Sequence, residues 1–151
     1  MRIVVDTSVL IALSNIGRLE LLRSLFDDVI VPRAVVEEYG EPLPEWIKTV
    51  EVKDEQLVRL LLENLHRGEA EVIALALEEN ADIVALDDKK ARNMAKRIGL
   101  NVIGTIGVLI LAKKQGIIDN IEAEISRLVE TSFRLSQNVV AKAIEEARRD
   151  C

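Results

Sequence analysis

Asp6, the pair Glu37-Glu38, Glu69 with Glu71, and the pair Asp87-Asp88 are the residues of this chain best suited to chemistry. Three of these groups adjoin apolar runs: Ile3-Val4-Val5-Asp6, Gly68-Glu69-Ala70-Glu71-Val72-Ile73 and Ile83-Val84-Ala85-Leu86-Asp87-Asp88. A carboxylate at the end of a buried strand is costly unless something compensates its charge. If the groups converge, a divalent cation is the natural compensator, and phosphodiester hydrolysis becomes the candidate chemistry.

Each group also has a plainer role. Asp6-Thr7-Ser8 is ordinary N-cap chemistry. Glu69 and Glu71 open a helix, where the macrodipole favours acids. Asp87-Asp88 can cap the helix from Lys89, although two adjacent acids exceed what a cap needs. Glu37 and Glu38 sit about 100° apart around a helix axis, so only one faces a given point, and periodicity does not decide which. His66 is the single histidine. Histidine metal sites normally use two or more, so His66 reads as a loop residue. The chain has neither a GxxxxGK[ST] loop nor a GxGxxG motif, and Gly104-Thr105-Ile106-Gly107 reads as a tightly packed helix start. Lys89, Lys90, Arg92, Lys96 and Arg97 read mostly as a solvated helix face. Lys89, Lys90 and Arg92 border the fourth acidic group and are candidates for phosphate contacts, and Arg92 is spaced for an i,i+4 pair with Asp88.

The elements that must position these residues alternate between strand and helix. Strands are expected over about 2–6, 29–31, 47–52, 82–86 and 101–103. Helices are expected over about 8–15, 18–25, 32–39, 54–65, from about 69, over 88–98 and from 105 to about 115. Two further helices follow from Ile118, with a joint near Phe133 to Ser136. His66-Arg67-Gly68 is expected to break the helix before Glu69. This order predicts an α/β sandwich with a mostly parallel sheet, in which ligands sit beyond the strand carboxyl ends at the switch in strand order. Asp6 and Asp87 both end predicted strands, and the two ends become neighbours if those strands flank the switch.

With 49% apolar residues, 151 residues are enough for one sizeable core and argue against disorder. A formal charge of -6 speaks against a general basic nucleic-acid coat but suits an acidic metal site. At 3% aromatic residues, a single strand would be held by its backbone rather than by ring stacking. The one cysteine, Cys151, excludes an intramolecular disulfide and a cysteine metal site. No apolar run reaches about 18 residues, and no targeting segment is evident, so a cytoplasmic, non-membrane protein is expected.

In order and spacing, several stretches resemble the PIN-domain ribonucleases, especially the small VapC-like toxins and their archaeal relatives. They are Val4-Val5-Asp6-Thr7-Ser8-Val9-Leu10, Val31-Pro32-Arg33-Ala34-Val35-Val36-Glu37-Glu38, Gly68-Glu69-Ala70-Glu71-Val72-Ile73-Ala74-Leu75-Ala76, Leu86-Asp87-Asp88-Lys89-Lys90-Ala91-Arg92 and Gly104-Thr105-Ile106-Gly107-Val108-Leu109. The resemblance covers about residues 1–118. It implies a three-layer α/β/α sandwich with a mostly parallel sheet in a single domain, 1–151, whose C-terminal helical extension from about 119 departs from the minimal PIN domain. It implies a metal-dependent endoribonuclease in which Mg²⁺ or Mn²⁺ is held by Asp6, Glu38, Glu69 and one or both of Asp87 and Asp88. Glu38 aligns better than Glu37 with the family's second acid. Glu71 is an additional candidate ligand, and Thr7 or Ser8 takes the supporting hydroxyl position. The implied partners are single-stranded or structured RNA and, if the chain is the toxin of a toxin-antitoxin pair, an antitoxin protein; the apolar helices 8–25 and 54–65 suit either the core or the face of a homodimer. The alternative is a catalytically inactive PIN-like module that binds RNA or a partner protein. A phosphoryl receiver would place its acids in the opposite arrangement, and a haloacid-dehalogenase-type phosphatase would need an Asp where Ser8 stands.

Overall fold

The computed structural model describes residues 1–131 and 144–148. Its centre is β1 (Arg2–Val5), whose Ile3, Val4 and Val5 are completely buried. A strand covered on both faces must be continuously apolar, and this one is. In chain order, β2 (Asp28–Val31), β3 (Ile47–Thr49), β4 (Ile83–Ala85) and β5 (Val102–Ile103) complete a five-stranded sheet. All pairings are parallel, in the order β3-β2-β1-β4-β5. The strand order therefore reverses between β1 and β4, where Ile3 pairs with Ile83 and Val5 with Ala85.

The helices are α1 (Thr7–Asn15), α2 (Glu20–Leu25), α3 (Arg33–Tyr39), α4 (Glu55–Leu61), α5 (Arg67–Glu78), α6 (Lys89–Arg97), α7 (Thr105–Lys114) and α8 (Ile121–Glu130). α5 lies across β1 and β4, with α3, α4 and α6 packed against it. α2 lies on β2 and α7 on β5; these two helices pack on each other, and α8 packs on α7. The result is the expected three-layer α/β/α sandwich. Its core joins Leu10, Leu13 and Leu22 to Ile73, Leu75, Leu86 and Leu109 through the sheet.

Three boundaries differ from the sequence expectation for local reasons. β3 ends at Thr49 rather than near Val52, and the Lys53 N–H turns away to donate to Glu78 Oε1 at 2.9 Å. α4 stops at Leu61 and the chain turns before Leu65. α5 begins at Arg67, not Glu69, because His66 is its N-cap and Glu69 reaches back to the His66 N–H. The joint expected near Phe133 to Ser136 lies outside the described residues, whereas α8 and the helical residues 144–148 fall within the segment expected to be helical. Among the described residues, no helix is long and apolar enough to cross a membrane.

Candidate acidic site

The two central strands bring the first and fourth acidic groups together. The Asp6 N–H donates to the Ala85 carbonyl at 3.0 Å, so the chain leaves β1 beside the end of β4. Asp6, Glu38, Glu69, Asp87 and Asp88 then line one open cavity of about 530 Å³, with Thr7, Ser8, Ile11 and His66. It lies at the carboxyl ends of β1 and β4, where the order reverses, as doubly wound sheets dictate.

Each side chain arrives by a different local device. Asp6 precedes α1 and is 5% exposed. Burial pushes its carboxyl up to about 7; the Thr7 N–H opposes the rise, and Glu69, Glu38 and Asp87 add to it. Glu38 extends from the exposed side of α3 over the start of α5. A Cβ on Gly68 would stand 1.9 Å from Glu38 Oε1, so the absence of a side chain there makes room for the carboxylate. Glu38 lines the cavity and Glu37 does not. Desolvation, then Glu69, raises the Glu38 carboxyl above its ordinary value. Glu69 is buried and also raised, chiefly by desolvation, against the His66 N–H that bonds it at 3.2 Å.

Asp87 is held from α7: Thr105 donates its N–H to Oδ1 at 2.8 Å and its hydroxyl to Oδ2 at 2.6 Å. Gly104 packs closely here, since a Cβ would meet Arg92 Nη1 at 2.7 Å and Asp87 Oδ1 at 2.9 Å. Asp88 caps α6 by accepting from the Ala91 N–H at 3.0 Å, and still lines the cavity. The Thr7 hydroxyl is buried without a hydrogen-bond partner, although Thr7 lines the same cavity. Ser8 is exposed at the rim.

Other candidates take different places. Glu71 does not line the cavity. Its Oε1 accepts from the Ala34 N–H at 3.2 Å, and its Oε2 pairs with Arg67 at 3.3 Å, so it satisfies the start of α3. Arg92 does not pair with Asp88; its Nη1 donates to the Leu86 carbonyl at 2.8 Å and braces the turn between β4 and α6. Lys89 and Lys90 are exposed and do not line the cavity. His66 is the residue that sequence reasoning set aside: it stands in the cavity wall with Glu38 and Glu69. The readable signal was a Glu three residues after it, the spacing of a capping box.

The donor set suits a hard divalent cation: carboxylate oxygens, an unpartnered hydroxyl, and a buried Asp6 that holds its proton up to about 7 without a counter-charge. As the side chains stand, no group of three or more acidic, histidine or cysteine side chains among the described residues is gathered closely enough to hold one. Carboxylates without a cation repel one another, and a spread arrangement follows from that.

A five-stranded parallel α/β/α sandwich with an acidic cavity at its switch point defines a class of protein. A family model described as a PIN domain matches residues 2–149, nearly the whole chain. The chain therefore belongs to the PIN-domain family, whose members are generally nucleases and usually use divalent metals. No curated protein matches it.

Proposed function

We propose that this chain is a divalent-metal-dependent ribonuclease. The observation that carries the reading is the convergence of Asp6, Glu38, Glu69, Asp87 and Asp88, from four separate segments, on one cavity. Asp6, Glu38, Glu69 and Asp87 would hold Mg²⁺ or Mn²⁺, with Asp88 shared between this role and its helix cap. When bound, the cation would supply Lewis acidity toward a phosphodiester oxygen and an attacking water.

The protein's own part is positional. Asp6 is fixed by burial and by the Thr7 N–H. Asp87 is fixed by two bonds from Thr105. Glu69 is oriented by the His66 N–H, and Glu38 by the gap at Gly68. Such fixed acceptors hold charge where it is needed without reorganising during the reaction. RNA would be gripped by its backbone, because the chain has few aromatic residues for stacking.

The test is cleavage of labelled single-stranded RNA with Mn²⁺, Mg²⁺ or EDTA, beside Asp6→Asn. Cutting that needs the cation and falls roughly a hundredfold or more in the variant is expected. A folded Asp6→Asn protein that cuts like wild type would sink the assignment. The alternative reading is a PIN domain that binds RNA or a partner protein without cutting. Cation binding by calorimetry with no cleavage of any tested nucleic acid would select it.

A further inference from the structure

We propose that His66 contacts the substrate, donating an imidazole N–H to the RNA phosphodiester in the acidic cavity. The inference rests on the nuclease reading above and concerns a residue that reading does not require.

The cavity wall consists of five carboxylates, the hydroxyl residues Thr7 and Ser8, Ile11 and His66. Carboxylates only accept hydrogen bonds, and phosphate oxygens need donors. Among the described residues, the side chains of the wall that can donate to a phosphate oxygen not facing a cation are those of Thr7, Ser8 and His66. The Thr7 hydroxyl is buried without a hydrogen-bond partner, and Ser8 stands at the rim. The basic residues that sequence spacing offers as phosphate contacts are not in the wall: Lys89 and Lys90 point to solvent, and Arg92 is engaged by the Leu86 carbonyl. Among the described residues of the wall, His66 alone has a nitrogen-bearing side chain.

Local structure fixes where the ring stands. His66 is the N-cap of α5 and forms a capping box with Glu69; its backbone N–H is engaged by Glu69 Oε1 at 3.2 Å. Only the side chain remains for a ligand. An imidazole carries an N–H in either neutral tautomer. His66 is exposed, so reaching a bound strand costs it no burial.

The purely structural alternative is that His66 only caps α5, and His66→Ser separates the two roles. Serine followed three residues later by Glu69 is a preferred capping box, so α5 should start at least as well in the variant. The side chain is then too short to donate to substrate. Steady-state cleavage of single-stranded RNA in Mn²⁺ should show kcat/KM lower by roughly tenfold, the scale of one lost hydrogen bond. The melting temperature and the calorimetric Mn²⁺ affinity should match wild type. A second arm reads contact without turnover. His66 is the only histidine, so its imidazole gives a single set of NMR resonances. In Asp6→Asn protein with saturating Mg²⁺, a short oligoribonucleotide should shift them.

If wild type cuts RNA and His66→Ser cuts within twofold of it, the nuclease reading stands and the His66 contact is overturned. If wild type does not cut, the nuclease reading fails, and the resonance decides: a shift supports contact with bound RNA, and no shift overturns it.

Discussion

Glu38 Oε1 occupies the space that a side chain on Gly68 would fill, 1.9 Å from where its Cβ would stand. The two residues lie on different helices, α3 and α5, so a glycine in one element sets the position of a carboxylate from another. The atom that would have to yield is the far end of a flexible side chain, and it can swing away cheaply.

Gly68→Ala should therefore separate stability from activity. Alanine suits a helix better than glycine, by up to about 1 kcal/mol in an interior and less in this first turn. The melting temperature should hold or rise slightly while Glu38 is pushed out of the cavity. Mn²⁺ affinity and RNA cleavage should both fall, by roughly tenfold, on the scale of losing one oriented ligand. Unchanged Mn²⁺ affinity in calorimetry would show that Glu38 has no share in holding the cation.

Thr105 offers a related test from the opposite wall. It is completely buried, and its hydroxyl is one of two donors to Asp87. Thr105→Val keeps the shape and removes that donor, which should cost roughly 1–2 kcal/mol of stability and loosen Asp87. Cleavage should fall with it, and Thr105→Ser should restore most of both. If valine cleaves as well as threonine, Asp87 does not need this tether.

Much of the frame was legible because its signals are local. Ile3 to Val5 and Val29 to Val31 are short apolar runs that a buried parallel strand requires, and Gly40 ends α3 as expected. Asp6 and Asp87 became neighbours because both terminate strands that pair. What sequence spacing could not give was direction. Glu71 is only two residues from Glu69, but a rotation of about 200° around α5 turns it to the start of α3. Arg92 was spaced to meet Asp88, yet the unsatisfied Leu86 carbonyl claims it. Glu38 was distinguished from Glu37 by a gap in another helix. His66 was discounted as a lone histidine, and its place in the wall depends on how α5 packs across β1 and β4.

Away from the cavity, Glu124 of α8 is 3% exposed and pairs with Arg18, which is 38% exposed; Arg127 Nη1 stands 3.6 Å from the other oxygen. The asymmetry of burial predicts an asymmetry of cost. Arg18→Ala leaves a buried carboxylate short of its main partner and should cost roughly 2–3 kcal/mol. Glu124→Gln removes the buried charge and leaves Arg18 able to reach water, so it should cost less than half as much. Urea denaturation of both variants checks the order, and equal losses would mean that burial of Glu124 is not what makes the pair matter.

Asp6 makes the cavity's charge visible without any turnover. Its carboxyl is pushed from 3.8 up to about 7 by burial, so the folded state binds this proton more tightly than the unfolded state does. The stability it contributes is fully present below about pH 4 and is lost as pH rises through 7. Glu38 and Glu69 are also raised and add in the same direction. Asp28, lowered by its bond from Arg2, acts in the opposite direction, so the useful quantity is the difference between wild type and Asp6→Asn. A shift of this size converts to about 4 kcal/mol at most, and water in the open cavity should reduce it to roughly 2 kcal/mol. In EDTA, wild type should lose stability relative to Asp6→Asn between about pH 4 and 7 and then level off. Mn²⁺ must displace that proton, so it should raise the wild-type melting temperature far more at pH 8 than at pH 5.5. The variant should respond weakly at both. Parallel pH curves for the two proteins in EDTA would mean that Asp6 is not held protonated by its surroundings.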